Sequence, residues 1–204
     1  MKFIIMSIVM GAGYISFGQD TLYYDSGEPK AIGVYQNSEK MGTWVHFYPS
    51  GEISAEFKYE QGALHGQQKY FNPSGTRQSL ENWKNGSLED SSYYFHADGS
   101  LDHKGVLWNS LYEGLWQFYY PSGEMRQEGS YKNGLPHGLW LEYAENGQVL
   151  QEGFYVEGKE HGFWKFFDEE GNPTYEGSYN RGERIGVWYF YKKSGKKKVW
   201  KRFD

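Results

Sequence analysis

Glycine returns at a fixed interval along this chain, and that interval limits the possible folds more than any other feature. Gly27, Gly51, Gly75, Gly99, Gly123, Gly147, Gly171 and Gly195 stand 24 residues apart without exception. Nine residues before each of the last seven lie Gly42, Gly66, Asp90, Gly114, Gly138, Gly162 and Gly186, with Asp90 the single departure. A third series runs Gly62, Gly86, Ser110, Gly134, Gly158 and Gly182. No insertion or deletion disturbs the register from Tyr23 to Phe203. A period of roughly 20–50 residues marks a repeat array, in which each unit buries its apolar surface against its neighbours.

The aromatic residues keep the same period. Tyr23, Phe47, Phe71, Phe95, Tyr119, Tyr143, Phe167 and Tyr191 fill one column. Tyr35, Tyr59, Trp83, Leu107, Tyr131, Tyr155, Tyr179 and Phe203 fill a second, with Leu107 the only non-aromatic. Trp44, Trp116, Trp140, Trp164 and Trp188 form a third, which Gln68 and Ser92 interrupt. Phe, Trp and Tyr number 13, 8 and 19 while aliphatic residues are scarce, so burial must come mainly from rings, each covering a large area.

Each unit divides into two strands and two turns. Gly138–Tyr143 is rich in β-formers, and Glu145-Asn146-Gly147 after it fits a type I turn closed by a left-handed glycine. A second strand runs from Gln148 to Tyr155, and Val156–Gly162 is read as the turn back. Strands of six to eight residues leave no room for helix, and short loops imply antiparallel neighbours. Gly105, Gly129, Gly153 and Gly177 recur inside the second strand, where glycine ordinarily weakens pairing. They indicate a bulge or a space where a neighbouring ring lies flat, and a ring from the Trp column is the preferred reading. The expected fold is all-β: an elongated, single-layer antiparallel sheet of tandem hairpins, with units starting near 18, 42, 66, 90, 114, 138, 162 and 186. At two strands per unit, the array should advance about 10 Å per repeat and span roughly 70 Å.

The unit Gly-x-Trp-x-x-Tyr-x-x-x-Gly followed by Tyr-x-x-Gly-x-x-x-Gly resembles the MORN-repeat variant family. The resemblance covers Tyr23 to Phe203, is cleanest over Gly138–Gly162 and Gly162–Gly186, and weakens at Gln68, Asp90, Ser92 and Ser110. It implies a twisted sheet of hairpins and a role in scaffolding, protein–protein contact or membrane association. Some bacterial members are described as antitoxin-like.

The first residues read as an export signal. Met1-Lys2 is a minimal basic start, Phe3–Phe17 is apolar and uncharged, and Ser16-Phe17-Gly18 places small residues where cleavage before Gln19 requires them. The stretch is shorter than the roughly 20 apolar residues that span a bilayer. The expected organisation is a signal peptide over 1–18 and a repeat array over 19–204, in the periplasm or secreted.

Charge and chemistry narrow the function. The chain carries 21 basic and 26 acidic residues. Lys192, Lys193, Lys196, Lys197, Lys198, Lys201 and Arg202 are concentrated at its end, leaving Gln19–Tyr191 at net −12. An acidic body argues against nucleic acid or anionic lipid along the sheet. The basic tail reads either as a last strand whose lysines discourage edge pairing or as a grip on an anionic surface. Cysteine is absent, which excludes disulfides, thiolate metal sites and a cysteine nucleophile. His65, His137 and His161 share one column at about 10 Å spacing, too far apart for one zinc. Glu128, Glu152 and Glu176 repeat at a similar interval and read as a solvated face, not as a glycosidase pair. No cofactor or catalytic residue is expected.

The leading expectation is a non-catalytic scaffold in the bacterial cell envelope that binds a partner protein through an aromatic and acidic face. A glycan-binding module using Trp44, Trp116, Trp140, Trp164 and Trp188, and peripheral membrane association through the basic tail, are the alternatives.

Overall fold

The computed structural model describes residues 18–204, so the segment read as a signal, apart from Gly18, lies outside the described residues. Two kinds of tight turn alternate along the chain. At the first kind, Gly27 has φ +99°, its N–H donates to Tyr24 O, and Tyr24 N–H donates to Glu28 O. This is the expected type I turn with a left-handed glycine. At the second kind, Glu157 and Gly158 have φ of 51° and 78°, the double positive φ of a two-residue type I′ hairpin. Val156–Gly162 is therefore not a long turn. Strand resumes at Lys159 and passes straight through Gly162, whose φ of 72° marks a local kink. Strands consequently reach eight or nine residues, longer than the sequence spacing implied. Asp90, the exception among the glycines of this column, also takes positive φ, at 69°, with its carboxylate accepting Ser91 N–H at 2.6 Å.

These turns fold the chain into one 18-stranded sheet. Neighbouring strands pair antiparallel in chain order from Asp20–Tyr23 at one end to Lys197–Phe203 at the other, with the short pieces Ala63–Leu64 and Ser87–Leu88 pairing only with the strand before them. No helix occurs among the described residues. Stacked turns are also stitched to each other. The type I′ glycine N–H reaches a carbonyl of the neighbouring turn, as from Gly158 to Pro136 and from Gly182 to Glu160, both at 2.9 Å. On the opposite margin, Tyr24, Tyr48 and Tyr120 hydroxyls donate to Phe47, Phe71 and Tyr143 carbonyls at 2.7–2.9 Å.

The core is a row of indoles laid on glycines. A β-carbon added to Gly153 would lie 2.1 Å from the Trp164 ring, and Gly33, Gly105, Gly129 and Gly177 stand likewise against Trp44, Trp116, Trp140 and Trp188. The recurring glycine is also a bulge. Register shifts on either side of Gly153, Gly105, Gly33 and Gly177, and the next residue's carbonyl receives the indole N–H. Trp44, Trp116, Trp164 and Trp188 donate in this way to Val34, Val106, Phe154 and Ser178 at 3.0–3.2 Å. Trp140 differs: its six-membered ring lies over Gly129 and its Nε1 donates to Glu142 at 3.4 Å. Burying one indole removes about 200 Å² from water, worth roughly 5 kcal/mol, so these rings dominate the stability of a sheet with no second layer.

Where tryptophan is missing, so is its glycine. Phe57 and Glu81 occupy the glycine position facing Gln68 and Ser92. Gln68 is fully buried and does the work of the absent indole, its Nε2 donating to Lys58 O and its Oε1 accepting Lys58 N–H. Among the described residues the strands break only here, at His65 and Glu89, whose N–H groups turn to Lys58 O and Asn82 O.

Gly153→Ala places a methyl inside the Trp164 ring and should lower stability by about 1–3 kcal/mol, the usual overpacking cost, while weakening the near-UV circular dichroism of the indoles. Gly162→Ala meets no atom within 4 Å and should cost about 1–2 kcal/mol from left-handed strain alone, with the near-UV signal intact. Chemical denaturation followed at both wavelengths separates the two.

Candidate functional site

The Trp column singled out as a binding face is the interior of the array. Trp44, Trp116, Trp140, Trp164 and Trp188 are 0–7% exposed. Glycine lies beneath each, tyrosines meet Trp44, Trp140 and Trp164 at either edge, and a further residue lies across Trp44, Trp116 and Trp188. Tyr155 meets Trp140 and Trp164 edge-on at 5.0 and 5.2 Å, and Tyr179 meets Trp164 and Trp188 at 5.9 and 5.0 Å. Lys40 lies 4.4 Å over Trp44, Arg184 lies 4.8 Å over Trp188, and Tyr112 stacks on Trp116 at 3.6 Å. A molecule approaching this face meets the covering tyrosines and cations, not the indoles.

The opposite face is mixed. Leu139 pairs directly with Phe154 across a hairpin, and Val106, Leu115, Leu139, Phe154 and Phe163 are 41–53% exposed. They form an apolar row across the second half of the sheet, interrupted by Ser130 opposite Leu115 and by Ser178 opposite Phe163. Thr43, Gln67 and Ser91 hold the positions equivalent to Leu115, Leu139 and Phe163 in the first half. Sequence reasoning does not mark this row, because its aliphatic members are inconspicuous beside the larger rings. Its signal is the change from polar to apolar within a single column.

Two residues along the strands, on the same face, runs the acidic column. It is paired, not simply solvated. Lys165 bonds Glu152 at 2.7 Å, Tyr143 OH bonds Glu128 at 3.2 Å, and Glu176, only 7% exposed, accepts from Tyr191 OH at 2.7 Å and from Lys197. Burial pushes the Glu176 carboxyl up, but hydrogen bonds and charge from Lys197, Tyr191 and Lys165 outweigh it, and the net shift is below the ordinary 4.5.

The basic tail is folded. Lys192 and Lys193 lie at the last type I turn, and Lys197, Lys198, Lys201 and Arg202 belong to the strand paired with Glu183–Tyr191. Lys197 also lies 4.2 Å over Tyr189 and Lys201 lies 4.9 Å over Phe203. Among the histidines, His103 and His96 approach Asp102 at 3.0 and 3.6 Å, and burial holds His46 down at about 4. Among the described residues no group of three His, Asp or Glu side chains is placed to hold a metal ion.

One continuous sheet of stacked hairpins, with a buried ring ladder and no central cavity, defines a solenoid-like β-repeat protein. Residues 64–85, 112–133, 136–157 and 160–181 match the MORN repeat variant, within a span of more than half the chain, and the protein belongs to that family. The skipped stretch between the first and second matches contains Ser92 and Asp90. MORN repeats are non-catalytic modules that bind proteins or membranes. No curated protein matches the chain. Among solved structures, similarity extends to a chain of the GtfA/B complex bound to UDP and GlcNAc, at 11% identity and TM-score 0.25, covering 67% of this chain and 27% of that one. Chains from the TcdB2-TccC3-Cdc42 and TcdB2-TccC3 crystal structures match at 12% identity and TM-scores of 0.21 and 0.20, covering 85% of this chain and 13% of theirs. The protein thus spans less than a third of the length of each.

Because the folded Glu176 carboxyl ionises below its unfolded value, its contribution is complete above pH 4.5 and is lost as pH falls through the lower folded value. Thermal unfolding between about pH 6 and pH 3 should show a steeper acid loss for the parent than for Glu176→Gln, the two curves converging at the acid end.

Proposed function

We propose that the protein is a non-catalytic binding scaffold whose apolar row docks a partner protein in the cell envelope. The observation that carries this reading is the exposure of Val106, Leu115, Leu139, Phe154 and Phe163 along one face of a sheet whose own packing uses the other. Exposed apolar side chains gathered on one face mark an interaction site, and Leu139 with Phe154, direct cross-strand partners, form its centre. Glu128 beside the row, whose hydrogen-bond partner is the neutral Tyr143 hydroxyl, favours a partner segment with apolar residues flanked by basic ones. Repeat arrays recognise partners over extended surface and not in a single pocket, which agrees with a chain whose chemistry-bearing groups repeat and do not converge. The family's binding role supports the same reading.

The envelope location rests on the apolar, uncharged Phe3–Phe17 behind Met1-Lys2 and the small residues before Gln19. Fractionated cells should yield a chain whose amino terminus, read by mass spectrometry, is Gln19; a cytoplasmic chain retaining residues 1–18 would remove this part of the reading.

A photo-crosslinking residue at Leu139 should capture a discrete envelope protein in intact cells, while the same residue at Thr43, in the polar half of the face, should not. Leu139→Asp combined with Phe154→Asp should abolish the adduct formed from a third position, Leu115, without altering near-UV circular dichroism. Equal capture from Leu139 and Thr43 would overturn the assignment of the row.

A further inference from the structure

Departures from the 24-residue rule collect in one region. Tryptophan gives way to Gln68 and Ser92, glycine to Phe57, Glu81, Asp90 and Ser110, and an aromatic to Leu107. In a sequence whose other levels agree, locally broken rules mark functional or strained places. Beside the two strand breaks at His65 and Glu89 lies a cleft of about 560 Å³, within the range of about 300–1,000 Å³ typical of small-molecule sites.

Two tryptophans outside the indole column line this cleft, Trp83 and Trp108. Trp83 replaces a tyrosine of the repeat. Trp108 stands where other units carry Gln36, Glu60, Lys84, Lys132, Val156 and Asn180, so the fold has no use for a ring there. It is nonetheless 59% exposed, the most exposed tryptophan among the described residues. Trp83 is held in place, its Nε1 donating to Glu81 Oε2 at 3.0 Å. Elsewhere the residues in the column of Trp83 and Leu107 press on an indole between them; here Ser92 stands between them, and both line the cleft.

The polar groups complete a recognisable set. The Asn82 amide nitrogen is committed to Ser91 O, which leaves its oxygen as an acceptor. Asp90 uses only Oδ1 within the protein, on Ser91 N and Oγ. Glu89 adds a second carboxylate and Lys84 a cation. Indole faces accept the C–H face of a pyranose ring. Carboxylate and amide oxygens accept from its hydroxyls, and an ammonium donates to them. Two carboxylates against one ammonium disfavour a phosphorylated or sulfated ligand.

We propose that this cleft binds a neutral oligosaccharide, stacked on the exposed ring of Trp108 and hydrogen-bonded by Asn82, Glu89 and Asp90. The glycan contact offered as an alternative for the buried Trp column belongs instead to Trp108. The site stands apart from the partner reading, although Val106 borders both.

Isothermal titration of the full mature chain with chitotetraose, cellotetraose and maltotetraose tests it. At least one tetrasaccharide should bind saturably. Trp108→Ala, which removes an exposed ring and keeps the fold by circular dichroism, should weaken that binding by about tenfold or more. Glu89→Gln should weaken it less, and Trp200→Ala, an exposed indole outside the cleft, should leave it unchanged. Leu139→Asp combined with Phe154→Asp should also leave sugar binding intact, so failure of the partner reading is separable. Absence of binding by all three sugars, or equal binding by Trp108→Ala, would overturn the proposal.

Discussion

The contact on which this structure depends is an indole lying flat against the bare backbone of a glycine in the adjoining strand. A single-layer sheet ordinarily has nothing to bury its apolar side chains against. Here the second layer is built from the sheet's own residues: a ring crosses its neighbour where no β-carbon stands, and tyrosines and cations close over it. The bulge that opens the space also releases a carbonyl, and in four units the indole N–H satisfies it. Sterics and hydrogen bonding therefore select the same pair of residues, and the pair is kept or lost together. Phe57 with Gln68 and Glu81 with Ser92 show the loss.

Much of this was legible in advance. The unbroken 24-residue period set the hairpin array, and the interior glycines pointed to a ring across the strand, because a residue that weakens pairing recurs only for a compensating reason. The type I turn was readable from the glycine at its end. What escaped was the direction of the rings. Periodicity places Trp44 and Trp164 on one face but cannot say that Lys40, Tyr112 and Arg184 will cover that face, since their shared column changes residue type from unit to unit. The length of the second turn was misjudged because Gly162 carries positive φ inside a strand, and a glycine series looks the same at a bulge and at a turn. The apolar row escaped because leucine at Leu115 and Leu139 is unremarkable until three-dimensional exposure is known, whereas tryptophan invites notice in any position.

The two faces divide the labour. One holds the array together through identical contacts made repeatedly, and it tolerates little change. The other is free to vary, and does so along the chain, from polar in the first units to apolar in the later ones. Chemistry that requires converging groups finds little support in such a design, because each repeat offers the same side chain at a fixed stride. Recognition of an extended partner, and of a ligand where the repetition fails, are the activities this geometry accommodates.

The interrupted indole ladder also gives the molecule a mechanical character. Trp116 to Trp188 wedge four successive units against one another, and Trp44 does the same for the first. Between these two blocks the strands are broken and Gln68 and Ser92 stand where indoles would be, so hydrogen bonds replace ring contact there. The array is two ring-wedged lengths joined by a stretch without the indole column, and the cleft lies at that stretch.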